Sequence, residues 1–570
     1  MKLSTYPFKT RKTVSSDLVS KNAKLLTQAA YIHQEVAGVY TFLPLGLRVL
    51  NKVEQIIRQE MDKVAIELLM TALAPKAKWQ QTGRLNTVDV LMKTTGANPA
   101  SLAKNSTEYV LNSTHEEIIT PLVQEFVSSY KELPVAIYQI QSKFRNEPRA
   151  KTGILRCREF RMKDAYSFHA TPADLQRFYD VMKQTYTTIF ARLGLGKDTI
   201  MTLASGGDFT PDFSHEFQTI CEAGEDTIFM VKSKNLCFNL EVAPSQAPRL
   251  DNEAEKLLPL SEVEGAGMIG VEAVAKFLDI AVAKTTKTVL FQTDTSEVIA
   301  IVVRGGYDVD EEKVKKVVGC QSLALAPAAL ITQLTGAEVG YAGPLNLSKE
   351  VRVFFDESTS NRKNFECGAN KTHFHITNVN WGRDLPLPEK FYDLKVAKAG
   401  DFYPETGELY EVHKACEVGN IFPLNTKFSQ ACNFTYLDEH GKAQPIYMGC
   451  YGIGPSRLVG VLVEKMADEK GLIWPKHLAP YTVHLIDVQQ PESAQLLYTQ
   501  LQRQGIEVLW DDRDVRAGEK FADADLLGIP YRVVISAKTG TLIELKERTS
   551  QETKLISIEE LINQIKVAAV

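Results

Sequence analysis

The sequence predicts a multidomain protein that mixes α+β and α/β parts. Its 570 residues exceed what one hydrophobic core accommodates. Short β-like runs crowd residues 109–168 between polar loops, the pattern of an antiparallel sheet with one charged face. From 227 to 400, and again from 482 to the end, helical and strand-like stretches alternate as they do in α/β modules.

Along the chain, Leu47, Leu50, Val53, Ile57, Met61 and Val64 recur at three- and four-residue steps, which puts one apolar stripe on a long helix. The run 66–70 then reads as a short buried strand. Strands are expected at 109–111, 137–140 and 158–162. In the next module, helices are expected at 271–278 and 311–318, and strands at 289–292, 298–303 and 351–355. Sheet patterning resumes near Lys414, and 475–480, bounded by prolines, reads as a linker. Beyond it come strand 482–488, helix 494–504, strand 506–510, a charged loop, strands 531–536 and 542–546, and a final helix. Ser557 and Glu560 open that helix with the spacing of a capping box. The domain boundaries that follow are 1–226, 227–400, 401–473 and 474–570.

Composition narrows the function. A formal net charge of -5 is wrong for a protein that coats DNA without regard to sequence, so any nucleic-acid contact must rest on local patches. Eight cysteines occur without a Cys-x-x-Cys pair, which argues for reduced thiols and against a disulfide framework or zinc site. Residues 1–20 lack an apolar signal core and no stretch is long and apolar enough for a bilayer. A soluble, cytoplasmic protein without a membrane or DNA partner is expected.

There is no P-loop and no Rossmann glycine fingerprint. The chemistry-bearing feature is Phe144-Arg145-Asn146-Glu147, a loop, and then Arg156 to Phe160. In a hairpin, Arg145 and Glu147 point to one face because side chains alternate. Arginine there can clamp a phosphate, the carboxylate can accept from an adenine amine, and Phe160 can stack on a purine. The same hairpin also suits a solvated sheet face.

These residues resemble motif 2 of the class II aminoacyl-tRNA synthetases. Residues 452–457 (GIGPSR) and the helical run after them resemble motif 3, whose arginine meets the γ-phosphate, and 47–70 resembles motif 1, the dimer interface. Thr114-His115-Glu116-Glu117, 137–144, 162–169, 448–453 and 511–526 resemble the bacterial prolyl-tRNA synthetases, a likeness that runs from about Ala37 to Arg548. The resemblance implies an antiparallel-sheet catalytic core, an inserted α/β editing domain and a C-terminal α/β anticodon-binding domain. It implies a homodimeric proline–tRNA ligase with ATP and proline as substrates and tRNA-Pro as partner. Mg2+ is inferred from the phosphate chemistry, with no metal motif in the chain.

By the same resemblance, Arg145, Glu147 and Arg457 are catalytic, and Arg156 and Phe160 join them at ATP. Thr114 and Glu116 hold the imino nitrogen of proline, Arg145 meets its carboxylate or the α-phosphate, and His169 and Cys450 line the ring pocket. For Cys450, a merely buried small hydrophobe is an equal reading. The insertion matches at Asn239, Glu241, 287–290, 340–344 and 375–384. It implies hydrolysis of alanine wrongly attached to tRNA-Pro, with Lys287, Gly340, Pro344 and His375 at the editing site. Asp512, Arg513, Glu544, Lys546 and Arg548 are the expected anticodon contacts, the last three on one strand face. A charged edge strand guarding against aggregation is the other reading of those three.

Four places depart from the family pattern: Thr71, Asn112-Ser113, 208–211 and Asn420. Two further readings therefore stay open at this level. One is a divergent paralogue that binds tRNA with weak aminoacylation, and the other is chiefly an editing deacylase.

Overall fold

Two long strands organise the first part of the molecule. Val135–Phe144 and Glu159–His169 pair antiparallel from Val135↔Phe168 to Phe144↔Glu159. The computed structural model in which they are seen describes residues 1–150 and 152–568. Tyr447–Ile453 adds antiparallel to Glu159–His169, Glu411–Asn425 follows, and Phe213–Ile220 pairs with the latter. Ile66–Glu67 joins the opposite edge in parallel.

Alternation along Glu159–His169 decides what each side chain meets. Ala165 turns to helices Pro44–Met61, Pro172–Arg192 and Pro455–Met466, where Val53, Ile57, Tyr186, Phe190, Leu458 and Leu462 build one apolar core with Tyr138 and Tyr451. Phe160, Met162, Asp164 and Tyr166 turn to the other face and line a cavity. The stripe on Pro44–Met61 is as the periodicity predicts, except that Leu47 is exposed. The buried strand expected at 66–70 is instead a two-residue edge strand, with Ile66 and Leu69 73% and 75% exposed and Met70 buried. An apolar run carries no sign of which neighbour it lacks.

By contact density the chain divides into two units: 1–201, 206–226 and 414–570 form the first, and 202–205 and 227–413 the second. The second runs past the boundary expected at 400, because Ala397, Tyr403 and Tyr410 pack with Phe229, Val231 and Phe238. Its main sheet orders Leu323–Leu325, Thr286–Thr293, Val298–Arg304 and Arg352–Phe355. A smaller sheet orders Ser261–Glu264, Phe374–Val379 and Phe365–Gly368. Helices Val271–Leu278 and Glu311–Val318 have the predicted bounds.

The C-terminal part of the first unit is a five-stranded sheet in the order Val508–Asp511, Val483–Val488, Tyr531–Ser536, Ile543–Glu547, Lys554–Ile556. The first two pairings are parallel and the last two antiparallel. Ser557 and Glu560 cap the final helix reciprocally, at 2.7 and 3.2 Å. Two expectations fail here. The charged loop contains helix Ala517–Leu527, hidden because its buried face carries Lys520 and Asp523 beside Ala524 and Leu527. The 475–480 linker is not free: Leu478 and Ala479 are fully buried in the same core as helices Pro44–Met61, Pro172–Arg192 and Pro455–Met466.

Candidate functional site

The first-unit cavity encloses about 190 Å³ and is built on the strand pair and its hairpin end. Arg145 and Glu147 line it, but not through strand alternation. The strand ends at Phe144, and a tight turn with Glu147 N–H donating to the Arg145 carbonyl at 2.8 Å brings both side chains inward. The Arg145 guanidinium lies 5.2 Å from the Phe160 ring centroid. Among the described residues, no group accepts a hydrogen bond from it, and burial and the nearby Arg457 both push its pKa down. Arg457 stands in the first turn of Pro455–Met466, held by the Leu155 carbonyl at 2.7 Å and the Glu417 carbonyl at 2.6 Å. Two guanidiniums in one cleft repel unless an anion separates them. Arg156 lines the cavity too, but it is tied to Glu147 at 2.7 Å and Glu225 at 2.6 Å.

The floor is acidic. Helix Glu116–Gln124 starts there, and its N-terminus favours the two carboxylates of its first turn. Glu116, fully buried, accepts from the Cys450 thiol at 3.1 Å, a donor that burial and Glu116 keep protonated by raising its pKa. Thr114 lies alongside and accepts from Arg84 at 3.3 Å. Below, the Lys143 ammonium meets Asp164 at 2.8 Å and His115 Nδ1 at 2.5 Å, while Tyr166 and Gln139 donate to Asp164 at 2.9 Å each. Burial and the Lys143 charge hold His115 down at about 4, so it is a neutral ring whose Nε2–H donates to the Thr71 carbonyl.

His169 is a correction. It is odd-numbered on a strand whose even-numbered residues face the cavity, so it turns to the helices, paired with Asp174 at 2.7 Å and packed on Phe178. Sequence reading missed Arg84, Asp164, Tyr166 and Glu417. Of these, Asp164 and Tyr166 share the parity of Phe160, which could have flagged them. The departures are absorbed locally. Asn112 accepts from Trp79 at 3.3 Å and donates to the Thr71 carbonyl at 2.9 Å, while Asn420 lines the cavity and donates to Glu417 at 3.1 Å.

The second unit holds its own cavity, about 490 Å³, lined by Lys287, Asp308, Gly340, Glu366 and His375 among others. Lys287 reaches Asp308 at 2.5 Å on the half-exposed side. His375 is buried between Glu366, at 2.8 Å from Nδ1, and the Met268 carbonyl, at 3.0 Å from Nε2. Gly340 has φ +104°, a conformation strained for other residues, and it meets Ile269. Pro344 is a second correction, since it does not line the cavity. The chain at 343–345 is pinned inward by Asn370, and a Cβ on Gly343 would lie 1.9 Å from the Gly368 carbonyl. That glycine serves backbone packing.

A family model for the tRNA synthetase class II core domain (G, H, P, S and T) matches residues 100–466, and one for the anticodon binding domain matches 479–567. A proline–tRNA ligase of Bacillus cytotoxicus is 42% identical over 561 residues, covering 97% of each chain. One from Bacillus cereus is 41% identical over the same shares. The chain belongs to the class II proline–tRNA ligases. The prolyl-tRNA synthetase of Cryptosporidium parvum, solved with halofuginone and AMPPNP, shares the fold at TM-score 0.56 and 14% identity, over 96% of this chain and 76% of its own.

Within this proline–tRNA ligase fold, the five expected anticodon positions separate. Asp512 accepts from Ser4 N–H and Oγ at 2.8 and 2.6 Å. Arg513 is consumed internally, forked onto Asp511 at 2.8 and 2.6 Å and reaching Asp523 at 2.8 Å. Arg548 lies past the strand end and grips Asp468 at 2.9 and 2.6 Å, with its side chain 5% exposed. Glu544 and Lys546 remain half-exposed on one face of Ile543–Glu547, which is not an edge, because Lys554–Ile556 covers it. Arg513 and Arg548 are therefore corrected to internal ties.

Proposed function

We propose that the first-unit cavity performs proline activation, with ATP phosphates between Arg145 and Arg457 and the proline ammonium at Glu116. The observation that carries this reading is the Arg145 guanidinium, without a hydrogen-bond acceptor among the described residues, over Phe160, beside a second arginine and above a carboxylate floor. The proline carboxylate attacks the α-phosphate in line, pyrophosphate leaves, and a ribose hydroxyl of the tRNA terminus then displaces AMP from the prolyl carbonyl. No protein nucleophile enters, so catalysis is positioning and charge neutralisation. Glu147 faces the adenine amine with its second carboxylate oxygen, and Phe160 gives the purine a ring face. Glu417, on the cavity wall, would hold Mg2+, which would offset phosphate charge there. ATP–pyrophosphate exchange tests the reading: proline alone among the twenty amino acids supports exchange, and no exchange with any of them overturns it. Arg145→Ala loses about 100-fold or more in that exchange, as for a preorganised donor.

The second-unit cavity is the editing site for Ala-tRNA-Pro, supported by a compact ammonium, Lys287, at the mouth and by Gly340, whose φ of +104° and close packing on Ile269 shape the wall. Exposed Ile66 at the outer edge of the long sheet, Leu69 just after it, and Leu73 on the edge of a separate three-stranded sheet support a homodimer. Glu544 and Lys546 face the anticodon loop, and the enzyme works in the cytoplasm.

A further inference from the structure

The floor of the activation cavity contains a charge imbalance that its named substrate residues do not explain. Arg84 sends Nη1 to Glu117 Oε1 and Oε2 at 2.9 and 3.2 Å, to Glu116 Oε2 at 3.4 Å and to Thr114 Oγ1 at 3.3 Å. Its guanidinium is fixed among the rings of Trp79, Phe209 and Phe428, at 5.3, 4.7 and 5.3 Å from their centroids. Arg84, Glu116 and Glu117 are all buried. Neither Arg84 nor Glu117 lines the cavity, whereas Glu116 does.

One guanidinium thus faces two carboxylates in a medium where charge is costly to leave unmatched. The neighbouring groups do not correct the count at Glu116 itself. Arg145 attracts Glu116 across the cavity but stands over Phe160 without a hydrogen bond to that carboxylate, and is assigned to the phosphates. Lys143 is matched by Asp164, and His115 is neutral. Lys427 is exposed and bonded to the Asp208 carbonyl, and the Cys450 thiol is uncharged. The division of Arg84 between the carboxylates is uneven. Glu117 takes both short contacts and a further hydrogen bond from Thr82 at 2.9 Å. Glu116 is left with one long arginine contact and one weak thiol donor.

We propose that Arg84 and Glu117 form a positioning pair that keeps Glu116 charged but uncompensated, so that the cluster takes the proline ammonium as its missing cation. Glu117 acts by occupying Arg84, which otherwise swings its fork onto Glu116 and neutralises it. The inference rests on the assignment of the proline ammonium to Glu116.

Charge counting makes the test sharp. Burial pushes the Glu117 carboxyl up, Arg84 pulls it down and Glu116 raises it again. With both carboxylates ionised, the three groups sum to -1 in the native chain, to 0 in Glu117→Gln, and again to -1 in Arg84→Met/Glu117→Gln. Glu117→Gln raises the proline KM in pyrophosphate exchange by roughly tenfold or more, as for a charged hydrogen bond lost, with the ATP KM unchanged and kcat little altered. The double variant brings the proline KM back to within a few-fold of native, although it has lost more contacts. Thermal melts of both variants show whether each is folded. A double variant that melts cooperatively yet has a proline KM no better than Glu117→Gln overturns the proposal, since that is the result of a purely structural pair. Glu116→Gln is the separate control: proline binding undisturbed by it removes the underlying assignment, whatever the double variant does. Should the double variant not fold, Arg84→Gln/Glu117→Gln, which also sums to -1, replaces it. The proline KM again lies below that of Glu117→Gln, and equality of the two overturns the proposal.

Discussion

Lys287 shows how little one residue says by itself. A lysine before an apolar strand is in most proteins a solvated cation. Here it lines a cavity of about 490 Å³ and is paired with Asp308, whose side chain is 80% exposed. An ion pair so open to water is worth little, so its breaking to meet a phosphate or a developing charge at the ester costs little. Lys287→Ala is therefore expected to abolish hydrolysis of Ala-tRNA-Pro and to leave proline-dependent pyrophosphate exchange at the native rate. Deacylation assays of the single variant decide this: undiminished hydrolysis makes Lys287 a surface lysine and removes the editing assignment. His169 and Pro344 carry the complementary lesson. Motif position put both in pockets, whereas strand parity and an Asn370 tether take both out.

At the scale of elements, the C-terminal sheet separates charges that hold structure from charges that face solvent. Arg513, with its side chain 17% exposed, is shared between Asp511 and Asp523, themselves 0% and 13% exposed. Removing it leaves two shielded carboxylates without a cation, so Arg513→Ala costs about 3 kcal/mol or more. Lys546→Ala removes a half-exposed cation from the open strand face. It is expected to keep the native melting temperature, weaken tRNA binding and lower the salt slope of binding by about one. Melting curves and tRNA titrations at several salt concentrations check both, and a stable Arg513→Ala or a Lys546→Ala with the native salt slope contradicts the division. The same elements show what the sequence disclosed. Periodicity located Pro44–Met61, Val271–Leu278, Glu311–Val318 and Tyr531–Ser536, because each buries an apolar stripe. It failed at Ala517–Leu527, where Lys520 reaches the Asp487 and Asp511 carbonyls at 2.9 and 3.0 Å. A buried lysine satisfied by backbone carbonyls looks, in sequence, like a solvated one. At the site, the arginine and glutamate positions were legible from motif spacing. Arg84 was not, because its partners lie about thirty residues away and meet it only through the fold.

At the scale of the whole first unit, stability and activity share one core. Trp474, Leu509 and Leu527 of the C-terminal part pack in the same apolar cluster as Val53, Tyr186 and Leu458 behind the activation cavity. A group buried in the C-terminal sheet therefore reports on the catalytic part as well. His484, on Val483–Val488, is such a group. It is fully buried among Asp511, Arg513, Asp523 and Arg532, and neither ring nitrogen has a hydrogen-bond partner among the described residues. Burial holds it down at about 4, against 6.5 for an exposed imidazole. Above pH 6.5 the ring is neutral whether the chain is folded or not, and it contributes no pH dependence. Between pH 6.5 and 4 the unfolded chain takes up a proton that the folded chain refuses, so stability falls as the pH falls. The loss reaches about 3 kcal/mol near pH 4, below which both states are protonated and it stops growing. His484→Leu removes both the orphaned nitrogens and the proton uptake. It is expected to be no less stable than native at pH 7, and to lose less stability between pH 6.5 and 4 by up to that amount. Native His115, held down at about 4 as well, keeps part of the slope in the variant. Denaturant unfolding at half-unit pH steps, with pyrophosphate exchange followed in parallel, reads both quantities. Identical pH slopes in the two proteins would show that His484 takes up its proton as readily in the fold as in the unfolded chain. An exchange activity that survives unfolding of the C-terminal sheet would show that the shared core does not couple the two parts.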